Sequence, residues 1–155
     1  VALGTLALVV LAAVYVFFGR GWIQERSVKQ AIVEYDLALT DAFLKGDASE
    51  LADVATADQR SSIASYLGLF ELQGTRLEAE LISVEIIDVE MTEGGATADV
   101  QELWRYDRLG TDGLSKGNRN VEASTLFYVL LDSPTGWLVD DVIVIRTESR
   151  EEADQ

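Results

Sequence analysis

Glu102 stands in the stretch Thr97 to Arg108, where strict alternation puts it on one face with Val100, Trp104 and Tyr106. A carboxylate on an apolar strand face has its charged form disfavoured and its pKa raised, the condition in which such a group serves as a general acid or base. Tyr106, or Tyr128 on the following apolar stretch, would then orient a substrate oxygen. The competing assignment pairs Glu102 with Arg76, Arg105 or Arg119 on neighbouring strands, or turns it to solvent through a shift of register. Structural ion pairs outnumber catalytic acids in such sheets. The reading taken forward is therefore a non-catalytic chain, with Glu102 and Tyr106 as its weak catalytic candidates.

Little other chemistry is on offer. The chain has no histidine, no cysteine and one methionine, which excludes a metal site built on imidazole or soft ligands and any thiol nucleophile. Asp140 and Asp141 are adjacent on an extended stretch and point to opposite faces, so they make no facing dyad. Glu148, Glu151, Glu152 and Asp154 lack the ordered spacing and glycine of a calcium loop. Gly94–Gly95 and the Gly110 to Gly117 loop both lead into strands, unlike a phosphate cradle, which opens a helix. No cofactor and no metal are expected. A formal charge of −15 argues against nucleic acid, whose phosphates require clustered Lys and Arg, and a basic patch on another protein is its natural counterpart.

The elements that must position these residues change period midway. From Ser27, read as an N-cap, apolar residues recur at Val28, Ile32, Tyr35, Leu39, Ala42 and Phe43, one face of a helix that Lys45-Gly46-Asp47 closes. A short helix or turn over 48–55 turns Leu51 and Val54 inward. Thr56-Ala57-Asp58-Gln59 has the spacing of a capping box, and Ile63, Tyr66, Leu67 and Phe70 come next as the buried stripe of another helix. Arg76 to Met91 then alternates through Leu77, Ala79 and Leu81, resumes at Val84 and Ile86, and again at Ile87 and Val89. Two slips of phase predict a long bent strand with a bulge. After the turn at Glu93-Gly94-Gly95 come Thr97 to Arg108, a polar and mobile loop over 109–118, and a strand from Arg119 to Leu131. That third strand is read with Val121, Ala123, Thr125, Phe127, Val129 and Leu131 on one side. Trp137, Val139, Ile143 and Ile145 lead the fourth strand, and residues 148–155 form an acidic disordered tail.

Val1 to Phe18 is an uncharged, almost wholly apolar run, which as a helix would measure ~27 Å against the ~30 Å of bilayer hydrocarbon. Residues 1–19 are read as a single transmembrane helix and 20–26 as a juxtamembrane linker. Tyr15, Phe17, Phe18, Arg20 and Trp22 form its interfacial belt, with arginine snorkelling and tryptophan at headgroup height. Arg20, Arg26 and Lys29 after the run would favour a cytoplasmic domain, whereas a single N-terminal anchor commonly exports the domain it carries. The expected location is the cell membrane with an extracytoplasmic domain.

Helices followed by a four-stranded antiparallel meander, with the sheet curled around the long helix, make an α+β cone. Its order and texture resemble the nuclear-transport-factor-2-like superfamily, also described as cystatin-like. The resemblance is carried by Phe43-Leu44-Lys45-Gly46-Asp47, the strand Leu81 to Met91, Ala98-Asp99-Val100-Gln101-Glu102-Leu103-Trp104-Arg105-Tyr106, Leu126 to Leu131, and Gly136-Trp137-Leu138-Val139-Asp140-Asp141-Val142. The domain so defined spans 27–147. Among branches it is most similar to the membrane-anchored ones, including the terminal domain of cyanobacterial and plastid division proteins and the periplasmic component of type IV secretion. What the resemblance implies is an interaction module in a membrane complex or a homo-oligomer, with the open sheet face as its usual dimerisation surface. It also implies an alternative, a small-molecule binder or isomerase- or cyclase-like enzyme using the cone interior, while the apolar N-terminal run offers a third, a pilin-like filament subunit, against which stand Thr5 and the interruption at Gly19 to Gly21.

Overall fold

The computed structural model describes the backbone of residues 2–117 and 119–151, and the side chains of 22–117 and 119–151. Its elements run α1 (Ala2–Lys45), a 3-10 turn (Ala48–Leu51), α2 (Ala57–Leu72), β1 (Thr75–Thr92), β2 (Gly95–Gly110), β3 (Asn120–Ser133) and β4 (Gly136–Glu151). The strands form one antiparallel sheet in the order β1-β2-β3-β4, the meander read from the sequence.

Three features differ from the sequence reading. The helix does not begin at Ser27: α1 passes through residues 20–26 without a linker, and the Ser27 hydroxyl donates to the Ile23 carbonyl one turn back. A glycine inside a helix costs only ~1 kcal/mol, too little for Gly19 and Gly21 to end a helix whose downstream half is held by burial. The strand at the other end does not stop at Arg146. Thr147, Glu148, Ser149, Arg150 and Glu151 pair with Ser124, Ala123, Glu122, Val121 and Asn120, because a ladder is a backbone interaction and β3 supplies the partners whatever the side chains. The disordered tail is thus ordered to Glu151, and 152–155 lie outside the described residues. The third difference concerns the third strand, whose buried side is Leu126, Tyr128 and Leu130. Both phases of that strand are apolar, so alternation alone could not choose the face.

The anchor, with Tyr15, Phe17, Phe18 and Arg20, lies outside the residues whose side chains are described. Among the described residues no helix is long and apolar enough to cross a membrane. Trp22 is exposed, with the Arg26 guanidinium 6.0 Å from its ring centre.

The bend of β1 sits where the alternation slips. Register shifts fall between Leu81 and Ser83 and between Ile86 and Asp88, which leaves Ile82 and Ile87 as the extra, exposed residues of two bulges. Each bulge sharpens the local twist and curls the sheet over the helices. Inside the curl, Val28, Ile32, Tyr35 and Ala42 of α1 pack on Val100, Leu126, Tyr128 and Leu130, while Phe43, Leu67 and Phe70 meet Leu77, Ala79 and Trp104. Leu51 is fully buried beneath the 3-10 turn, and Val54 packs beside it half-buried.

Half of the expected capping box forms. Thr56 Oγ1 accepts the Gln59 amide at 3.3 Å, but the Thr56 N–H donates to the Val139 carbonyl at 2.9 Å and so has nothing to offer the Gln59 side chain. That side chain turns inward instead. The loop after β2 is also more constrained than its composition suggests. Asp107 accepts from Ser115 Oγ at 2.6 Å and from Arg119 Nε at 3.4 Å, and Gly110 and Lys116 add backbone bonds to Leu114 and Arg108.

Candidate functional site

Glu102 faces the interior, as alternation predicts, and it is neither paired with arginine nor turned to solvent. Arg105 pairs with Glu80 at 2.7 Å and Arg119 with Asp107, while Glu102 itself is 5% exposed. Its two oxygens are held by neutral donors: Trp104 Nε1 bonds Oε2 at 2.6 Å and Tyr128 Oη bonds Oε1 at 2.5 Å. The Tyr128 hydroxyl also lies 2.8 Å from Oδ1 of Asp36, a fully buried residue of α1.

A phenol has one proton, so it donates to one of these carboxyl groups and accepts from the other. The pair Asp36 and Glu102 must then hold a proton between them. Burial, followed by the charge of Glu102, pushes Asp36 up to about 8. Burial also raises Glu102, against the opposing bonds from Tyr128 and Trp104. Two donors already stabilise an ionised Glu102, whereas Asp36 Oδ2 is buried without a partner, an arrangement far less costly for a neutral acid than for an anion. The network at neutral pH is therefore a protonated Asp36 donating to Tyr128, which donates to an ionised Glu102. Beside it Gln59 Nε2 donates to Tyr35 Oη at 2.7 Å, and the rings of Tyr35 and Tyr128 meet edge to face at 6.0 Å.

Tyr106 does not join this network. It stacks on Trp104 with centroids 6.0 Å apart and planes within 13°, and borders an open cleft of about 460 Å³ with Tyr66, Phe70, Arg108, Asn120 and Glu122. Trp104 thus stands between the two residues that the sequence proposed as partners. Tyr66, expected in the buried stripe of α2, is 45% exposed at this cleft, its ring edge-on to Phe43 and Phe70. A shallow polar depression of about 300 Å³ crosses Ser83, Gln101, Thr125 and Arg146 and touches Glu102 and Ser124. Asp140 is half-buried, Asp141 is exposed and accepts the Val142 N–H at 2.8 Å, and neither enters a shared site. Among the described residues no group of three or more carboxylates is placed to hold a metal ion.

Asp36 escaped the sequence reading although a signal existed. It lies four residues after Ile32 and eight after Val28, on the apolar stripe of α1, where an acid must be buried or bonded.

No protein family and no curated protein matches the sequence. Its three-dimensional arrangement does find relatives. The intermembrane space region of chloroplast protein ARC6 superposes with a TM-score of 0.68 over 77% of this chain and 94% of that one, at 13% identity. The chain shares the fold of that chloroplast domain. Looser matches are the soluble domain of TrwG from the type IV secretion machinery of Bartonella grahamii (TM-score 0.42, 14% identity, 81% of this chain and 94% of that one) and a cystatin-like fold domain from Nostoc punctiforme (TM-score 0.39, 16% identity, 79% and 76%). The cone architecture implied by the sequence resemblance is thus the one observed. At such identities a likeness speaks for fold, and function rests on the site.

Proposed function

We propose that this chain is a non-catalytic interaction module, tethered to a membrane by its N-terminal apolar run and serving as an accessory subunit of a membrane complex. The observation that carries the reading is the occupied state of the Glu102 carboxylate. An acid or base in an isomerase- or cyclase-like site needs an oxygen that substrate can reach, and here each oxygen of Glu102 is bonded to a buried neutral side chain, Trp104 or Tyr128, and the residue is 5% exposed. The interior around it is filled with Tyr35, Tyr128 and Trp104, each buried. The function then falls to the surface. A tether of a few nanometres raises the local concentration of the domain towards other membrane subunits, so that modest contacts suffice. The ARC6 domain, as its name says, lies in an intermembrane space, a setting compatible with a role beside a membrane.

The test is extraction of the full chain from its own membrane in mild detergent, with the particle mass read by light scattering and its chains identified by mass spectrometry. A second chain in fixed stoichiometry is expected. A lone monomer would contradict the proposal, and long homopolymers would select the pilin-like alternative, with which the unbroken α1 is compatible.

A further inference from the structure

The face of the sheet turned away from the helices is divided lengthwise by charge. Register puts Glu78, Glu80, Glu85, Asp88 and Glu90 of β1 on this outer side, because their neighbours Leu77, Ala79, Val84, Ile86 and Val89 face the core. Asp99 of β2 joins them opposite Asp88. All six are exposed, and Glu80 is paired with Arg105. Across the same face, β3 and β4 present Phe127 opposite Ile143, Val129 opposite Asp141, and Leu131 opposite Leu138, with Thr125, Ala123 and Val121 farther along opposite Arg146, Glu148 and Arg150. Leu131 and Ile143 are 41% and 44% exposed, and the bulge residue Ile145 beside them 63%. An apolar patch interrupted by Asp141 thus covers one end of β3 and β4, and a band of carboxylates runs along β1 on the other side of the face.

We propose that this outer face docks a partner protein presenting an apolar ridge flanked on one side by Lys or Arg. The inference rests on the interaction-module reading and names the partner's chemistry. Charge complementarity selects that occupant over a second copy. The outer face of another copy brings Arg76, Arg105, Arg146 and Arg150, two of which already bond Glu80 and Glu148, together with a larger number of carboxylates, on a chain whose net charge is −15. A basic flank would instead meet Glu85, Asp88, Glu90 and Asp99 while the apolar ridge covers Phe127 and Ile143, the pairing of charge for steering and apolar area for affinity that stable interfaces use.

The experiment uses the full chain in detergent micelles and two fluorescent probes, a helical peptide with a Leu stripe flanked on one side by Lys (the Lys peptide) and its counterpart flanked by Glu. Tighter binding of the Lys peptide by at least tenfold, weakened as salt rises, is expected. Because a negative protein attracts any cation, the site is assigned by two matched variants. Glu85→Gln, Asp88→Asn and Glu90→Gln together must weaken the Lys peptide by at least tenfold more than Asp53→Asn, Asp58→Asn and Glu71→Gln on the helical side. Phe127→Ser with Ile143→Ser must weaken it too, with circular dichroism and melting temperature showing that the variant folds. Equal losses from the two acidic triples, or full binding by a folded Phe127→Ser/Ile143→Ser chain, would overturn the proposal. So would a homodimer that the same serine substitutions dissociate and the Lys peptide fails to displace. The mass measurement on the extracted complex is independent of these outcomes, so the docking face can fail while the module reading stands.

Discussion

Asp36 of α1 and Glu102 of β2 share one proton through Tyr128, whose hydroxyl lies 2.8 Å from the first and 2.5 Å from the second. The bridge joins the long helix to the middle of the sheet. It converts two buried carboxyl groups, each costly alone, into one neutral acid and one anion with donors on both oxygens.

The shared proton makes stability fall as pH rises. Asp36 is raised in the fold to about 8, so between the unfolded value near ~4 and that midpoint the native state holds a proton which the unfolded chain has released. This contribution is fully present below pH ~4 and declines by up to ~1.4 kcal/mol per pH unit until pH passes about 8. Asp36→Asn keeps a donor to Tyr128 without a titrating group. Chemical denaturation from pH 5 to 9 should show a flatter profile for the variant, which is the more stable of the two at pH 8.

Tyr128→Phe removes the bridging hydroxyl and leaves Asp36 and Glu102 facing each other in the core. A loss of ~1–3 kcal/mol is expected. Tyr106→Phe, at the open cleft, should change stability by less than ~0.5 kcal/mol. Urea unfolding of both variants checks the contrast, and similar losses would show that Tyr106 has a structural role beyond its stack on Trp104.

Two glycines should respond oppositely to alanine. A Cβ on Gly95, in the first position of β2, would lie 2.5 Å from the Leu130 carbonyl oxygen, a rigid backbone atom, so Gly95→Ala should lower the melting temperature. Gly68 sits inside α2 with open space around it, and Gly68→Ala should stabilise by ~0.5–1 kcal/mol through helix propensity.

The last residues of β4 should behave as strand. Hydrogen exchange at 147–151 is expected to be slowed where amides face β3, and deleting these residues should speed exchange at 120–124. Uniformly fast exchange over 147–151 would restore the disordered tail.

The legibility of each element in the sequence depends on its physics. The bulges of β1 were readable because Leu81 to Val84 and Ile86 to Ile87 break a clean alternation, and only an extra residue reconciles the phases. The inward face of β2 was readable because its other face carries Asp99, Gln101 and Arg105. The face of β3 was not, since Phe127 and Val129 are as apolar as Leu126 and Leu130, and packing against Tyr35 and Ile32 decides between them. The site was half legible: Glu102 and Tyr128 stand out as polar groups on apolar strands, but Asp36 reaches them from a helix far away in the chain. The role of Gln59 was hidden for a similar reason. Its capping partner was claimed by Val139, a contact that exists only once the sheet is folded.

The central claim is that the carboxyl groups inside the cone form a closed structural network and leave function to the surface. Carbon-13 NMR of the side-chain carboxyl groups of Asp36 and Glu102, followed against pH in the full chain, tests it most directly. The expected result is release of the shared proton with a midpoint near 8, unmoved by small carboxylate or phenolic ligands, and downward displacement of the Asp36 midpoint in Glu102→Gln. Titration of both groups near pH ~4, or a shift on adding such ligands, would show an interior open to water and substrate and would contradict it.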